Sequence, residues 1–230
     1  NNGKVIADIN DGKEIKIHGK NQEYTFTFDS VYEPTTSQEE VFRDAALPTI
    51  HDLFKGFNGT VFVYGQTGSG KTHTMMGPDG GKEINNPEMK GIVPRMIRTI
   101  FEIVSEAPED LEFLVKVSYI EIYMERIRDL LNSDKDNLRV RQNQSKGVWI
   151  EGATEVYVNK PEEVLDVLTM GGASRAIAST KMNAESSRSH SVFILTVMQK
   201  DTKTGSTMNG KLYFVDLAGS EKVGKTGASG

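Results

Sequence analysis

Residues 65–72, Gly65-Gln66-Thr67-Gly68-Ser69-Gly70-Lys71-Thr72, have the spacing G-x-x-x-x-G-K-T. That spacing suits a loop wrapped around the phosphates of a nucleotide. The glycines let the backbone turn tightly, so that its N–H groups converge on phosphate oxygens. Lys71 adds positive charge for the outer phosphates, and Thr72 offers a hydroxyl to magnesium. Binding alone is not hydrolysis, which also needs a second magnesium element, a positioned water and a sensor of the terminal phosphate. Tyr213-Phe214-Val215-Asp216 is an apolar strand ending in an acid, and Asp216 can reach a metal through water. Asp216-Leu217-Ala218-Gly219 has the form D-x-x-G, which places the Gly219 N–H where a γ-phosphate can be sensed. Asn183-Ala184-Glu185-Ser186-Ser187-Arg188-Ser189-His190 gathers hydroxyls, an amide and a guanidinium in one polar loop. Glu221 can accept a proton through water or pair with Arg188.

These groups need elements to carry them. Residues 60–64 predict a short, fully buried strand before the loop, and Lys71–Met76 a helix after it. Upstream, residues 4–9 and 13–17 predict a hairpin about Asn10-Asp11-Gly12, and 24–28 a half-buried strand. Ser37-Gln38-Glu39-Glu40 resembles a capping box opening a helix that Pro48 kinks and Gly56 ends. A helix is predicted over 92–105, with Met96, Ile97, Ile100, Phe101 and Val104 on its buried side, and a strand over 111–124. A helical turn is expected over 126–131, then an irregular stretch with short strands over 132–159. Pro161 opens a helix to about residue 178. Strands follow at 192–198 and 211–217, separated by a turn at 201–206. Alternating helices and strands predict an α/β fold with a mixed, mostly parallel sheet covered by helices on both faces. Nucleotide would sit at the carboxyl ends of its strands.

The 230 residues suit one large domain. The 27 basic and 32 acidic residues leave a net charge of −5, which speaks against a general nucleic-acid binder. No cysteine is present, which excludes disulfides and cysteine-based zinc sites. No apolar run approaches membrane-spanning length and no signal peptide opens the chain, so the expectation is an intracellular protein without membrane insertion. Two other matches are discounted. Gly219-Ser220-Glu221-Lys222-Val223-Gly224-Lys225-Thr226 repeats the phosphate-loop spacing, but Glu221 would repel phosphate and no helix start follows. Asn159-Lys160-Pro161-Glu162 echoes a guanine-reading motif, but ends in Glu and precedes the D-x-x-G element.

G-Q-T-G-S-G-K-T, N-A-E-S-S-R-S-H and D-L-A-G-S-E, in this order, resemble the phosphate loop, switch I and switch II of the kinesin motor domain. Phe26-Thr27-Phe28-Asp29, Tyr123-Met124-Glu125-Arg126-Ile127-Arg128-Asp129-Leu130-Leu131 and Glu221-Lys222-Val223-Gly224-Lys225-Thr226-Gly227 extend the likeness over nearly the whole chain. It is most similar to conventional kinesin heavy chains of the fungal kind. The resemblance implies a P-loop NTPase fold of kinesin type and a microtubule-stimulated ATPase motor that uses ATP and Mg2+. It implies that Gly65, Gln66, Thr67, Gly68, Ser69, Gly70, Lys71 and Thr72 hold the phosphates, with His73 beside adenine. It puts Thr72 and Ser187 on magnesium, with Asn183 and Ser186 near the γ-phosphate and the attacking water. Gly219 would bind the γ-phosphate, and Arg188 and Glu221 would form the ion pair that closes the site, Glu221 relaying the proton. Lys222 and Lys225, and more weakly Arg139, Arg141 and Lys146, would face tubulin. The resemblance further implies a cytoplasmic, cytoskeletal protein and a homodimer joined through a coiled-coil stalk outside this chain.

The family's first strand is not found before Asn1, and its parts beyond the switch II loop do not precede Gly230. The expectation is thus a partial motor domain, one that folds poorly and moves nothing by itself. Two rival readings stand beside the motor: a GTPase-type nucleotide switch, and a non-catalytic microtubule-binding module of kinesin shape.

Overall fold

The computed structural model describes residues 7–19, 21–78, 86–144, 147–181 and 186–221. Strands β1 (Ala7–Asn10), β2 (Glu14–His18) and β3 (Glu23–Thr27) form a small antiparallel sheet. The predicted turn is present, with Asp11 and Gly12 at φ 51 and 65. β3 was expected to be half-buried but is exposed throughout. The reason is tertiary: no residue of this small sheet belongs to the core cluster, so its aromatic face meets no apolar partner there.

Ser37 caps helix α1 (Gln38–Val41) with the complete capping box, its side chain accepting from the Glu40 N–H while Glu40 returns to the Ser37 backbone. The chain continues through a π-helical turn, Phe42–Ala46, into α2 (Leu47–Leu53). The Leu47 N–H donates to the Phe42 carbonyl, five residues back. This widened turn precedes Pro48, where a simple kink was expected. Gly56, at φ 84, closes the helix end as predicted.

The central sheet takes β4 (Gly59–Val63), β5 (Leu111–Tyr123), β6 (Arg126–Asp129), β9 (Val156–Val158), β10 (His190–Asp201) and β11 (Thr207–Asp216). Their order is β4-β11-β10-β5-β6, with β9 also on β5. Between β6 and β9, β7 (Arg139–Asn143) and β8 (Gly147–Glu151) form a separate hairpin. Only the β4–β11 pairing in the described sheet is parallel; β10–β11, β10–β5, β5–β6 and β5–β9 are antiparallel. The sheet is mixed as expected, but among the described strands the parallel pairing is the minority. Short links account for two of the antiparallel pairings: turns at 202–206 and at Met124–Glu125 can join only antiparallel neighbours.

That second turn also corrects the helical turn expected at 126–131. Met124 and Glu125 both take positive φ, 48 and 61, which reverses the chain and lays β6 against the end of β5. β4 was expected to be fully buried. It forms the outer strand of the described sheet, and Phe62 is 62% exposed while Val61 and Val63 pack on the core.

Three more helices follow among the described residues: α3 (Lys71–Met76), α4 (Ile92–Ser105) and α5 (Pro161–Lys181). Ile50 and Leu53 of α2, Met75 of α3, Met96, Ile97 and Ile100 of α4, and Val164 and Leu168 of α5 are buried in one cluster with Val117, Phe193, Leu195, Leu212 and Phe214 of the sheet. These strand residues share one face by register, so the described helices cover that face. Phe62 lies on the opposite face, in register with Val215 and Val192.

Candidate functional site: a phosphate loop joined to a strand-end acid

The site forms where β4 and β11 end side by side. Their parallel register pairs Val63 with Asp216, so the phosphate loop leaves one strand next to the acid that ends the other. Gly70 caps α3 at φ 95, a left-handed conformation that a Cβ would strain, so the turn into the helix requires glycine. Lys71 Nζ donates to the Gly65 and Gln66 carbonyls, both at 2.9 Å, and so holds the loop curled over its own ammonium.

Thr72 Oγ1 donates to Asp216 Oδ2 at 2.9 Å. The hydroxyl and carboxylate singled out for magnesium are therefore in contact, although 144 positions apart in sequence. Hard oxygen donors of this kind suit Mg2+, which retains waters and shares phosphate oxygens rather than demanding an all-protein cage. Ser187 and Asp216 line the same pocket as Thr67, Gly68, Lys71, Thr72 and His73. Ser187 sits in a short 3-10 turn, Ser186–Arg188, ahead of β10.

The two switch stretches touch each other. The Gly219 N–H donates to the Ser187 carbonyl at 2.7 Å, and the Ser220 N–H to the Gly65 carbonyl at 3.1 Å. The Ala218 N–H donates to His190 Nδ1 at 2.9 Å, which fixes that nitrogen as an unprotonated acceptor. The Gly219 N–H expected on a γ-phosphate is thus engaged by switch I.

The expected Arg188–Glu221 ion pair is not formed in this arrangement of the site. Arg188 is exposed, and Glu221 instead accepts from the Thr67 N–H at 2.9 Å and from the Thr67 hydroxyl. The phosphate loop's outward N–H groups attract an anion, and the Glu221 carboxylate meets that demand. The Thr67 side-chain hydrogen bond, with backbone N–H contacts, holds the Glu221 carboxyl below its usual range. Asn183, Lys146, Lys222 and Lys225 lie outside the described residues. Arg139 and Arg141 stand on the exposed β7 strand, and Arg141 Nη2 is bound to Glu151 at 2.8 Å across the hairpin.

Arg175 was missed by the motif reading. From α5 it reaches Ser191 Oγ at 3.1 Å, the Ser189 carbonyl at 3.0 Å, Asp216 Oδ2 at 3.5 Å and Glu121 Oε1 at 3.6 Å. All three charged side chains are largely buried, at 12% for Arg175, 6% for Glu121 and 15% for Asp216. The guanidinium therefore balances two carboxylates and braces the strand-end acid. Its signal in the sequence is faint: one cation among Gly171, Gly172, Ala173, Ser174 and Ala176, small residues that bring the helix close to the sheet.

Comparison with known proteins places this arrangement in a family. The profile described as "Kinesin motor domain" matches residues 3–230. The chain is 57% identical over 229 residues to kinesin-related protein 3 of Dictyostelium discoideum, covering 98% of this chain and 18% of that protein. It is 50% identical to the kinesin heavy chain of Syncephalastrum racemosum over 99% of this chain and 24% of the relative. For the human kinesin-1 heavy chain the values are 48%, 99% and 23%. The chain thus spans between 18% and 24% of the length of these relatives. A solved structure of a fast kinesin, presented for its ATPase mechanism and interactions with microtubules, superposes with a TM-score of 0.93 at 46% identity, covering 100% of this chain and 64% of that one. The chain belongs to the kinesin motor domain family.

Proposed function

We propose that this chain is the nucleotide-hydrolysing part of a microtubule motor, with ATP and Mg2+ at the site between β4 and β11. The observation that carries the reading is the 2.9 Å contact of Thr72 with Asp216, which unites the phosphate loop with the strand-end acid. Thr72 and Ser187 would hold the metal directly and Asp216 through water; bound there, Mg2+ would neutralise charge on the phosphate oxygens. The N–H groups of residues 65–72 and Lys71 would cradle the phosphates. Asn183 and Ser186 would position the attacking water.

Gly219 and Glu221 enter this scheme by exchanging partners. The Gly219 N–H leaves the Ser187 carbonyl for the terminal phosphate, and Glu221 leaves Thr67 to meet Arg188 and take up the water's proton. Phosphate competes for the same Thr67 N–H that now binds Glu221, so the two events are coupled by one donor. The chemical step draws on positioning and electrostatics, with no covalent intermediate. Rearrangement of the two loops on loss of the γ-phosphate would alter the grip on the track.

Arg139 and Arg141 on the exposed β7–β8 hairpin, with Lys146, Lys222 and Lys225, would supply basic contacts to tubulin. The relatives' character as kinesin heavy chains supports a cytoplasmic, cytoskeletal setting and a homodimer formed outside this chain. The test is ATP turnover by the full-length protein with and without microtubules. Acceleration by microtubules is expected; turnover indifferent to microtubules would reduce the site to a plain nucleotide switch.

A further inference from the structure

We propose that Gln38 is the positioning residue for the base end of the nucleotide, acting through His73. This rests on the nucleotide reading above, with the base beside His73. Gln38 opens α1, far from the phosphate loop in sequence. Its Nε2 lies 2.8 Å from the His73 carbonyl oxygen and 3.1 Å from His73 Nδ1.

These two distances determine the chemistry of the contact. A carbonyl oxygen can only accept, so the group facing it must be the amide NH2 of Gln38 and not its oxygen. The second hydrogen of the same NH2 then meets Nδ1, which must be an acceptor. The ring proton is thereby placed on Nε2. Gln38 clamps both the backbone and the ring of His73, and leaves it with a single donor to present in the pocket it lines.

The clamp has a firm mounting. The capping box fixes the first turn of α1, with Ser37 N–H to Glu40 Oε2 at 2.8 Å. Glu39 beside Gln38 lies 4.0 Å from Arg95 Nη1 of α4, a side chain only 7% exposed. Arg95 in turn donates to the Lys90 carbonyl at 3.1 Å and the Pro87 carbonyl at 2.7 Å. An exposed imidazole on a six-residue helix would otherwise rotate freely; here a second helix sets its angle and its tautomer.

The experiment compares full-length wild type with Gln38→Leu and Gln38→Glu, using ATP and inorganic tripolyphosphate as probes. Tripolyphosphate has the phosphates but no base. Gln38→Leu should weaken ATP about fivefold, the worth of one net hydrogen bond, and leave tripolyphosphate unchanged. Gln38→Glu cannot donate to the carbonyl and should draw the ring proton to Nδ1, with at least as large a loss. Unchanged ATP affinity, or equal weakening of both probes, would overturn the proposal. Nitrogen-15 spectra of His73 separate this from failure of the nucleotide reading. Wild type should carry its proton almost wholly on Nε2, and Gln38→Leu should relax to the mixture of a free imidazole, with more Nδ1–H, whether or not ATP binds. An identical tautomer mixture in both would also overturn the clamp.

Discussion

A single guanidinium shows how much of the site depends on residues that no motif marks. Arg175→Ala leaves Glu121 and Asp216 facing each other in a largely buried position. A loss of about 3 kcal/mol is expected, read from urea unfolding. Arg175→Lys should recover only part of it, because an ammonium cannot reach Ser189, Ser191 and Asp216 together in the planar manner of a guanidinium. His18 makes a different electrostatic prediction. Its ring nitrogens lie 2.6 Å from Asp8 and 3.0 Å from Glu23. The hydrogen bond to Asp8, then that to Glu23, raises its pKa above the ordinary 6.5. Its contribution to the small sheet is therefore complete below pH 6.5 and disappears as pH rises through the raised folded value. Amide protection factors across the β1–β3 sheet, corrected for the intrinsic rise of exchange with pH, should fall over that rise, and His18→Gln should remove that fall. The phosphate-loop residues and Asp216 were legible because each lies in a local pattern whose spacing has a chemical meaning. Arg175 was not, because its partners come from three strand ends brought together only by folding.

Among the elements, α5 carries two adjacent glycines with opposite demands. A Cβ on Gly171 would overlap the Tyr119 ring, whereas one on Gly172 meets nothing within 4 Å. Gly172→Ala should stabilise by about 0.5–1 kcal/mol through helix propensity. Gly171→Ala should destabilise by about 1–3 kcal/mol as β5 and α5 are forced apart. Thermal melting of both variants without nucleotide checks the pair of signs. Such packing was invisible in the sequence, where the glycines differ by nothing local. The bounds of helix α4 were legible to its last residue and its buried side nearly so, since an amphipathic stripe over four turns states both; only Val104 is half-buried, with Ile103 packed on the core in its place. β6 was misread as a helical turn because its reversal rests on positive φ at Met124 and Glu125, residues that do not announce it. β4 was read as buried from its apolar composition, but composition cannot say whether a strand has a neighbour on both sides.

For the molecule as a whole, the site is an interface between distant segments. Ligand binding should therefore protect both together. Mg-ATP is expected to slow amide exchange in Gly59–Val63 and in Thr207–Asp216 to similar degrees, and to add about 2.7 kcal/mol of stability at a hundredfold excess over Kd. Protection confined to the phosphate loop would contradict a shared site. The same parallel pairing sets a schedule for synthesis. Thr72 leaves the ribosome 144 residues before Asp216. At about 5–20 residues per second, the loop waits roughly seven to thirty seconds for its partner strand. Throughout that interval the apolar β4 has no β11 to pair with, and the loop has no acid beside its hydroxyl. A nascent chain of this family is thus incapable of holding nucleotide through this site until β11 emerges, and holdase chaperones that bind extended apolar segments have a defined target, Gly59–Val63, during that time.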